Sequence, residues 1–138
     1  MKPNLWGSHG WIFLHTITMN YPNNPTSTDK QIYSNFFKSL STILPCAKCA
    51  HNYSLHLEEY PIEDAVDSKE SLVNWLIDIH NEVNESLQKP TLSYEQVMNV
   101  YQSESIYKQD KHIYKLIIVI LSIFIIGLLC QKQFKNIF

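Results

Sequence analysis

Proline-marked breaks divide this chain into stretches that each show helical spacing, and that punctuation leaves room for a set of short helices and little else. From about Leu5 to Asn20, Leu5, Trp6, His9, Ile12, Phe13, Thr16 and Ile17 recur at helical intervals. Tyr21-Pro22-Asn23-Asn24-Pro25 ends that stretch. Thr26, Ser27 and Thr28 offer N-caps for a second helix, whose broad apolar face carries Ile32, Tyr33, Phe36, Phe37, Leu40, Ile43 and Leu44. Pro45 breaks it and, as a first-turn proline, opens a third helix running from Cys46 to about Glu59. Tyr60-Pro61 closes that one. Ser68-Lys69-Glu70-Ser71 has the form of a helix start, with an acidic first turn. The fourth helix runs to about Leu87 and turns Leu72, Trp75, Leu76, Ile79, Val83 and Leu87 inward. Lys89-Pro90 stops it, and Ser93 caps a short fifth helix bearing Tyr94, Val97, Met98 and Tyr101. No stretch alternates with the period of a strand. The expected fold is all-α, a four-helix bundle with a short fifth helix.

The last third changes character. Leu116 to Cys130 is uncharged and apolar on every side, though shorter than the roughly 20 residues of a comfortable span. Ile113 and Tyr114 lengthen it, and Lys115 and Lys132 are placed to snorkel to the two interfaces. The expectation is a single-pass C-terminal transmembrane helix over 113–131, the alternative being a core helix of the bundle. Residues 1–102 then form the globular domain, 103–112 a linker and 132–138 a short tail. Lysines flank both ends of the segment, so charge alone does not orient it.

Net charge is −2 and the 11 Lys and Arg residues form no stripe, so nucleic acid is not an expected partner. Three cysteines are too few for a disulfide scaffold, and no apolar signal region follows Met1-Lys2-Pro3-Asn4. The body is therefore expected in a reducing compartment, where a C-x-x-C pair is catalytic or metal-binding. Cys46-Ala47-Lys48-Cys49 is that pair. At a helix N-terminus the free N–H groups favour the thiolate, and Cys49 lies within disulfide reach of Cys46. Zinc would need four ligands, with His51, His56 or His80 completing the set, and no second C-x-x-C or paired-histidine motif exists. The strand context of a thioredoxin-type site is absent. A dithiol beside a flat organic electron acceptor remains, held by aromatic and histidine side chains. Taken singly, Trp11, His15, Trp75 and His80 read as ordinary bundle residues.

Together these residues resemble the Erv/ALR family of FAD-linked sulfhydryl oxidases. The likeness rests on Gly7-x-x-x-Trp11-x-x-x-His15 with Tyr21-Pro22, on Pro45-Cys46-Ala47-Lys48-Cys49-Ala50, and on Trp75-Leu76-x-x-x-His80-Asn81-x-Val83-Asn84-x-x-Leu87-x-Lys89-Pro90. It spans roughly Leu5 to Tyr101, and the chain looks most like the small members found in large DNA viruses. The resemblance implies a bundle that holds FAD, oxidises protein dithiols to disulfides, and passes electrons to O2 to give hydrogen peroxide. Cys49 would stand next to the flavin as a thiolate, and Cys46 would exchange with substrate. Gly7, Trp11, His15, Tyr21, His80, Asn81, Val83, Asn84, Lys89 and Tyr101 would contact FAD, with Lys89 suited to the phosphates and Tyr101 to stacking on adenine. No resident metal is implied. A homodimer is.

The departures are specific. Ser8 stands where the family often has arginine. Ile77 and Tyr94 occupy the places of a structural disulfide. No second, shuttle dithiol accompanies Cys130, so substrate thiols or a separate thiol carrier protein must reach Cys46 directly. Cys130 itself reads as a membrane-boundary residue or a lipidation site. The sequons at Asn52 and Asn84 favour a cytosolic body, because a sugar on Asn84 would collide with a flavin role. The expected location is a host or virion membrane with the catalytic domain on the cytosolic side. The competing function is a zinc-stapled helical membrane adaptor without catalysis.

Overall fold

The computed structural model describes residues 1–101, 114–123 and 125–126, and among them every regular element is helical. Four α-helices form the body: α1 (Gly7–Met19), α2 (Ser27–Ile43), α3 (Ala47–Glu59) and α4 (Lys69–Ser86). Short 3-10 turns at Pro3–Leu5 and Ile62–Asp64 precede α1 and α4. Each start has a chemical reason. The Thr26 hydroxyl accepts from the Asp29 N–H while the Asp29 carboxylate accepts from the Thr26 N–H, a reciprocal capping box on α2. The Ser68 hydroxyl accepts from the Ser71 N–H and caps α4.

The start of α3 differs from expectation. Cys46 is not in the first turn but is the N-cap itself, with extended backbone, and the helix begins at Ala47. The residue before a proline avoids helical geometry, so Leu44 is extended, and the chain re-enters a helix only two residues after Pro45.

The chain divides into two compact units, Met1–Tyr94 and Glu95–Phe138. In the first, α1 packs on α4 and α2 on α3 around one core. Leu14, Tyr21, Phe37, Tyr53, Ile62, Leu72, Trp75, Leu76 and Ile79 belong to it. Phe37 meets Trp75 edge to face with centroids 5.1 Å apart, and the Trp75 indole donates to the Tyr60 carbonyl at 2.9 Å, tying the end of α3 to α4. Complete burial of a side chain such as Leu76 stabilises by about 1.5–3 kcal/mol. The exposed ion pairs Lys30–Asp67 and Lys38–Glu63 add at most about 1 kcal/mol each.

Three parts of the expected apolar pattern are corrected. On α2, Ile32 and Ile43 are exposed. On α1 the buried residues are Leu14, His15 and Thr18, while Leu5, Ile12 and Phe13 are exposed. Leu87, expected inward, is the C-cap of α4 and is 57% exposed.

Residues 94–101, the described part of the short fifth helix α5, are helical. In the second unit, residues 114–123 and 125–126 are also helical and carry exposed apolar side chains, Leu116, Ile118 and Ile123 among them. Among the described residues no helix is long and apolar enough to cross a membrane. The remainder of the expected span 113–131, the linker 103–112, Cys130 and the tail 132–138 lie outside the described residues.

Candidate active site

Cys46 and Cys49 are joined by a disulfide with Cα atoms 5.2 Å apart. The Cys46 sulfur does a second job. It accepts from the Cys49 N–H at 3.2 Å, filling the N-cap role that Ser, Thr, Asn or Asp usually takes. No acidic residue stands in the first turn of α3, so nothing there opposes a negative charge on this sulfur. Both cysteines are half-buried, and Lys48 between them is exposed.

Across the body, α1 and α4 bring three flat rings together. Trp11 stacks on His80 with centroids 3.9 Å apart and planes 9° from parallel. His15 Nε2 and His80 Nδ1 share a hydrogen bond of 3.0 Å. One ring must donate and the other accept, which requires at least one neutral imidazole. The electrostatics supply that. Burial, then the charge of His80, lowers the His15 pKa to about 4. Burial, then the Lys89 ammonium, lowers that of His80 to about 4. At neutral pH the cluster is uncharged, aromatic and largely dry, and the field of Lys89 reaches it.

Among the other expected site residues, Val83 and Asn84 are half-buried on the last turns of α4. Asn84 also contributes its carbonyl, which accepts the Lys89 N–H at 2.8 Å. The Asn81 side chain is engaged by the backbone of Leu92, through two bonds of 2.9 and 3.0 Å. Tyr21 is fully buried and its hydroxyl donates to the Val66 carbonyl at 2.7 Å, so the structure gives it a core role. Tyr101 is half-buried on α5, in the second unit. At Gly7 an added Cβ would meet no atom within 4 Å, so space stands open beside the first turn of α1. Ile77 is buried and Tyr94 is 40% exposed.

Three features carried no signal in the sequence pattern. The buried Trp6 indole N–H has no acceptor among the described residues. Its ring lies over Gly10, where a Cβ would stand 3.3 Å from it. Gln88 adopts a left-handed φ of 55°, and Leu92 presents its backbone to Asn81. Among the described residues no group of three or more His, Cys, Asp or Glu side chains could hold a metal ion, so no geometry favours the zinc-stapled alternative.

Residues 8–102 match the Erv1/Alr family. The chain belongs to that family. It is 46% identical over 103 residues to a probable FAD-linked sulfhydryl oxidase of Acanthamoeba polyphaga mimivirus, covering 74% of this chain and 72% of that one. It is 40% identical over 84 residues to the mitochondrial FAD-linked sulfhydryl oxidase of Schizosaccharomyces pombe, covering 61% of this chain and 46% of that relative, less than half its length. The FAD-binding domain of Erv1 from Saccharomyces cerevisiae superimposes with a TM-score of 0.64 at 32% identity, over 67% of this chain and 87% of that one.

The site of this Erv1/Alr member suits a flat, dinucleotide-like group on its own evidence. The neutral Trp11–His80–His15 cluster offers ring faces, and the Lys89 ammonium stands near enough to His80 to shift its titration. The unpartnered Trp6 N–H and the open space at Gly7 lie together at the start of α1, on the helix that carries Trp11 and His15.

Proposed function

We propose that this chain is an FAD-linked thiol oxidase that forms disulfides in protein substrates, converting two thiols and O2 into a disulfide and hydrogen peroxide. The observation that carries the reading is the Cys46–Cys49 disulfide capping α3, in a chain of the Erv1/Alr family. A substrate thiolate attacks the Cys46 sulfur, the Cys46–Cys49 bond breaks, and Cys49 leaves as a thiolate. The second substrate thiolate then attacks the substrate sulfur of the mixed disulfide and displaces Cys46. The substrate leaves oxidised, and two electrons stay on the Cys46–Cys49 dithiol. The Cys49 N–H, already directed at the Cys46 sulfur, stabilises the thiolate released there. FAD, when bound, supplies the two-electron acceptor for this dithiol and the route onward to O2.

Gly7, Trp11, His15, His80, Val83, Asn84 and Lys89 are the residues assigned to hold the cofactor, with Tyr21 supporting them from the core, Asn81 supporting them through Leu92, and Tyr101 reserved for the adenine. The neutral histidine pair keeps positive charge out of the ring-binding face, leaving Lys89 for the phosphates. Cys49 is assigned next to the flavin.

The placement of the enzyme is also proposed. The apolar, exposed helical residues 114–123 support a C-terminal anchor over 113–131, with residues 1–102 as catalytic domain and 103–112 as linker. The cytosolic side of a host or virion membrane is the expected location. The exposed Ile12 and Phe13 of α1 support a homodimer. Protein dithiols, or a separate thiol carrier, are the expected partners.

The visible spectrum of the full chain in mild detergent tests the core of this reading. Flavin bands that bleach with dithiothreitol and recover in air, with peroxide released, are expected. Cys46→Ser and Cys49→Ser should each abolish turnover while the flavin stays bound. A colourless folded protein, or turnover surviving Cys49→Ser, would overturn the assignment.

A further inference from the structure

We propose that Asn81 is a positioning residue: by clamping Leu92 with its side-chain amide, it holds the turn that carries Lys89 beside the His80 edge of α4. The inference rests on the assignment of Lys89 to the cofactor phosphates and names the residue that keeps it in place.

Asn81 follows His80 directly, and successive helix positions point about 100° apart, so the two side chains serve different neighbours. His80 meets Trp11 and His15. Asn81 meets one residue with both ends of its amide. Its Nδ2 donates to the Leu92 carbonyl at 2.9 Å, and its Oδ1 accepts from the Leu92 N–H at 3.0 Å. Only this orientation of the amide satisfies both groups, so the side chain acts as a short strand edge for a single residue.

The other end of the turn is held as firmly. The Gln88 N–H donates to the Glu85 carbonyl at 2.9 Å and the Lys89 N–H to the Asn84 carbonyl at 2.8 Å, with Gln88 left-handed. This is the double bond pattern that ends helices at a glycine, carried here by a glutamine. Strained geometry of that kind persists where its surroundings over-determine it. Pro90 then restricts the segment between the two anchors. With residues 88 and 89 fastened to the end of α4 and residue 92 fastened to Asn81, the Lys89 backbone cannot swing. The Lys89 charge is felt at His80, as a fixed turn requires. A loose turn would have to be ordered each time a phosphate bound, so the clamp lowers that entropic cost. Because Leu92 engages both Oδ1 and Nδ2, Asn81 acts through Lys89 and not on the cofactor itself.

The test uses the full chain with Asn81→Ala, Lys89→Ala and the double variant. In flavin-free protein, Leu92 amide exchange should be slowed in the parent and fast in Asn81→Ala. The His80 titration should move upward in Lys89→Ala, which removes the nearby cation, and in the same direction but less far in Asn81→Ala, which only loosens the turn that places it. FAD should bind roughly tenfold more weakly to Asn81→Ala, because the loosened turn must then be ordered on binding. The double variant should then bind no more weakly than Lys89→Ala alone. Asn81→Asp, nearly the same shape, should behave like the alanine variant, because a carboxylate oxygen would face the Leu92 carbonyl. Unchanged Leu92 exchange in Asn81→Ala overturns the clamp. Additive losses in the double variant overturn it in favour of direct contact. If the parent binds no FAD, the oxidase reading falls, and Leu92 exchange with the His80 titration still decides the clamp.

Discussion

Tyr53 lies on α3 one turn beyond Cys49, buried to 5% exposure, with no hydrogen-bond partner for its hydroxyl among the described residues. Burial pushes its pKa upward, which is the same cost seen from the side of the ionised form. An unmade hydrogen bond of this kind costs about 1–3 kcal/mol, so Tyr53→Phe is expected to raise the denaturant midpoint by roughly 1 kcal/mol equivalent. Loss of stability in that variant would reveal a hidden partner. The histidine pair has a different signature. Both pKa values lie near 4 in the folded chain against about 6.5 when unfolded. Between those limits the unfolded chain takes up protons that the folded chain refuses, so stability falls as pH drops from 6.5 toward 4. Above that window the pair contributes no slope. Urea midpoints at pH 7 and pH 5 should differ in the parent and differ less in His80→Gln. Of these residues, Trp11, His15 and His80 were legible through the family resemblance, since singly each reads as an ordinary bundle residue. The silent hydroxyl of Tyr53 was not, because an apolar helix face looks the same with or without one buried oxygen.

The helices show where periodicity works and where it fails. On α2 and α4 polar and apolar faces are separated, and the expected Phe37, Leu40, Leu72, Trp75, Leu76 and Ile79 are buried. Helix α1 is apolar nearly all round, so its spacing carried no phase, and five of the seven residues on the expected spacing are exposed. Ends were legible wherever a short polar side chain stood before the helix, as at Thr26 and Ser68. Ser68→Ala should therefore cost about 1 kcal/mol of stability, read from thermal melts, whereas the neighbouring Lys69→Ala, which removes a cation from the first turn, should cost little. Cysteine was not anticipated as a cap, because sulfur is a weak acceptor and rarely fills that place. The clamp between Asn81 and Leu92 was invisible for another reason: one of its two partners is backbone, which no side-chain pattern reports.

For the molecule entire, the all-helical plan followed from the prolines and the lack of alternation. The expected membrane anchor rests on composition alone. Truncation after His112 should release the protein from carbonate-washed membranes and leave its thiol oxidase turnover intact. A full chain that stays soluble without detergent would count against the anchor. The sulfur of Cys46 joins this larger scale to the smallest. One atom starts a helix and, in the proposed reaction, exchanges with substrate thiols, and a thiolate there is a stronger acceptor than a disulfide sulfur. Wherever reduction leaves Cys46 as the thiolate, that cap bond to the opening of α3 is stronger than in the oxidised protein. Linkage makes the relation reciprocal: whatever loosens the opening of α3 must also make the dithiol harder to retain, so the midpoint potential of the couple is in part a measure of helix stability.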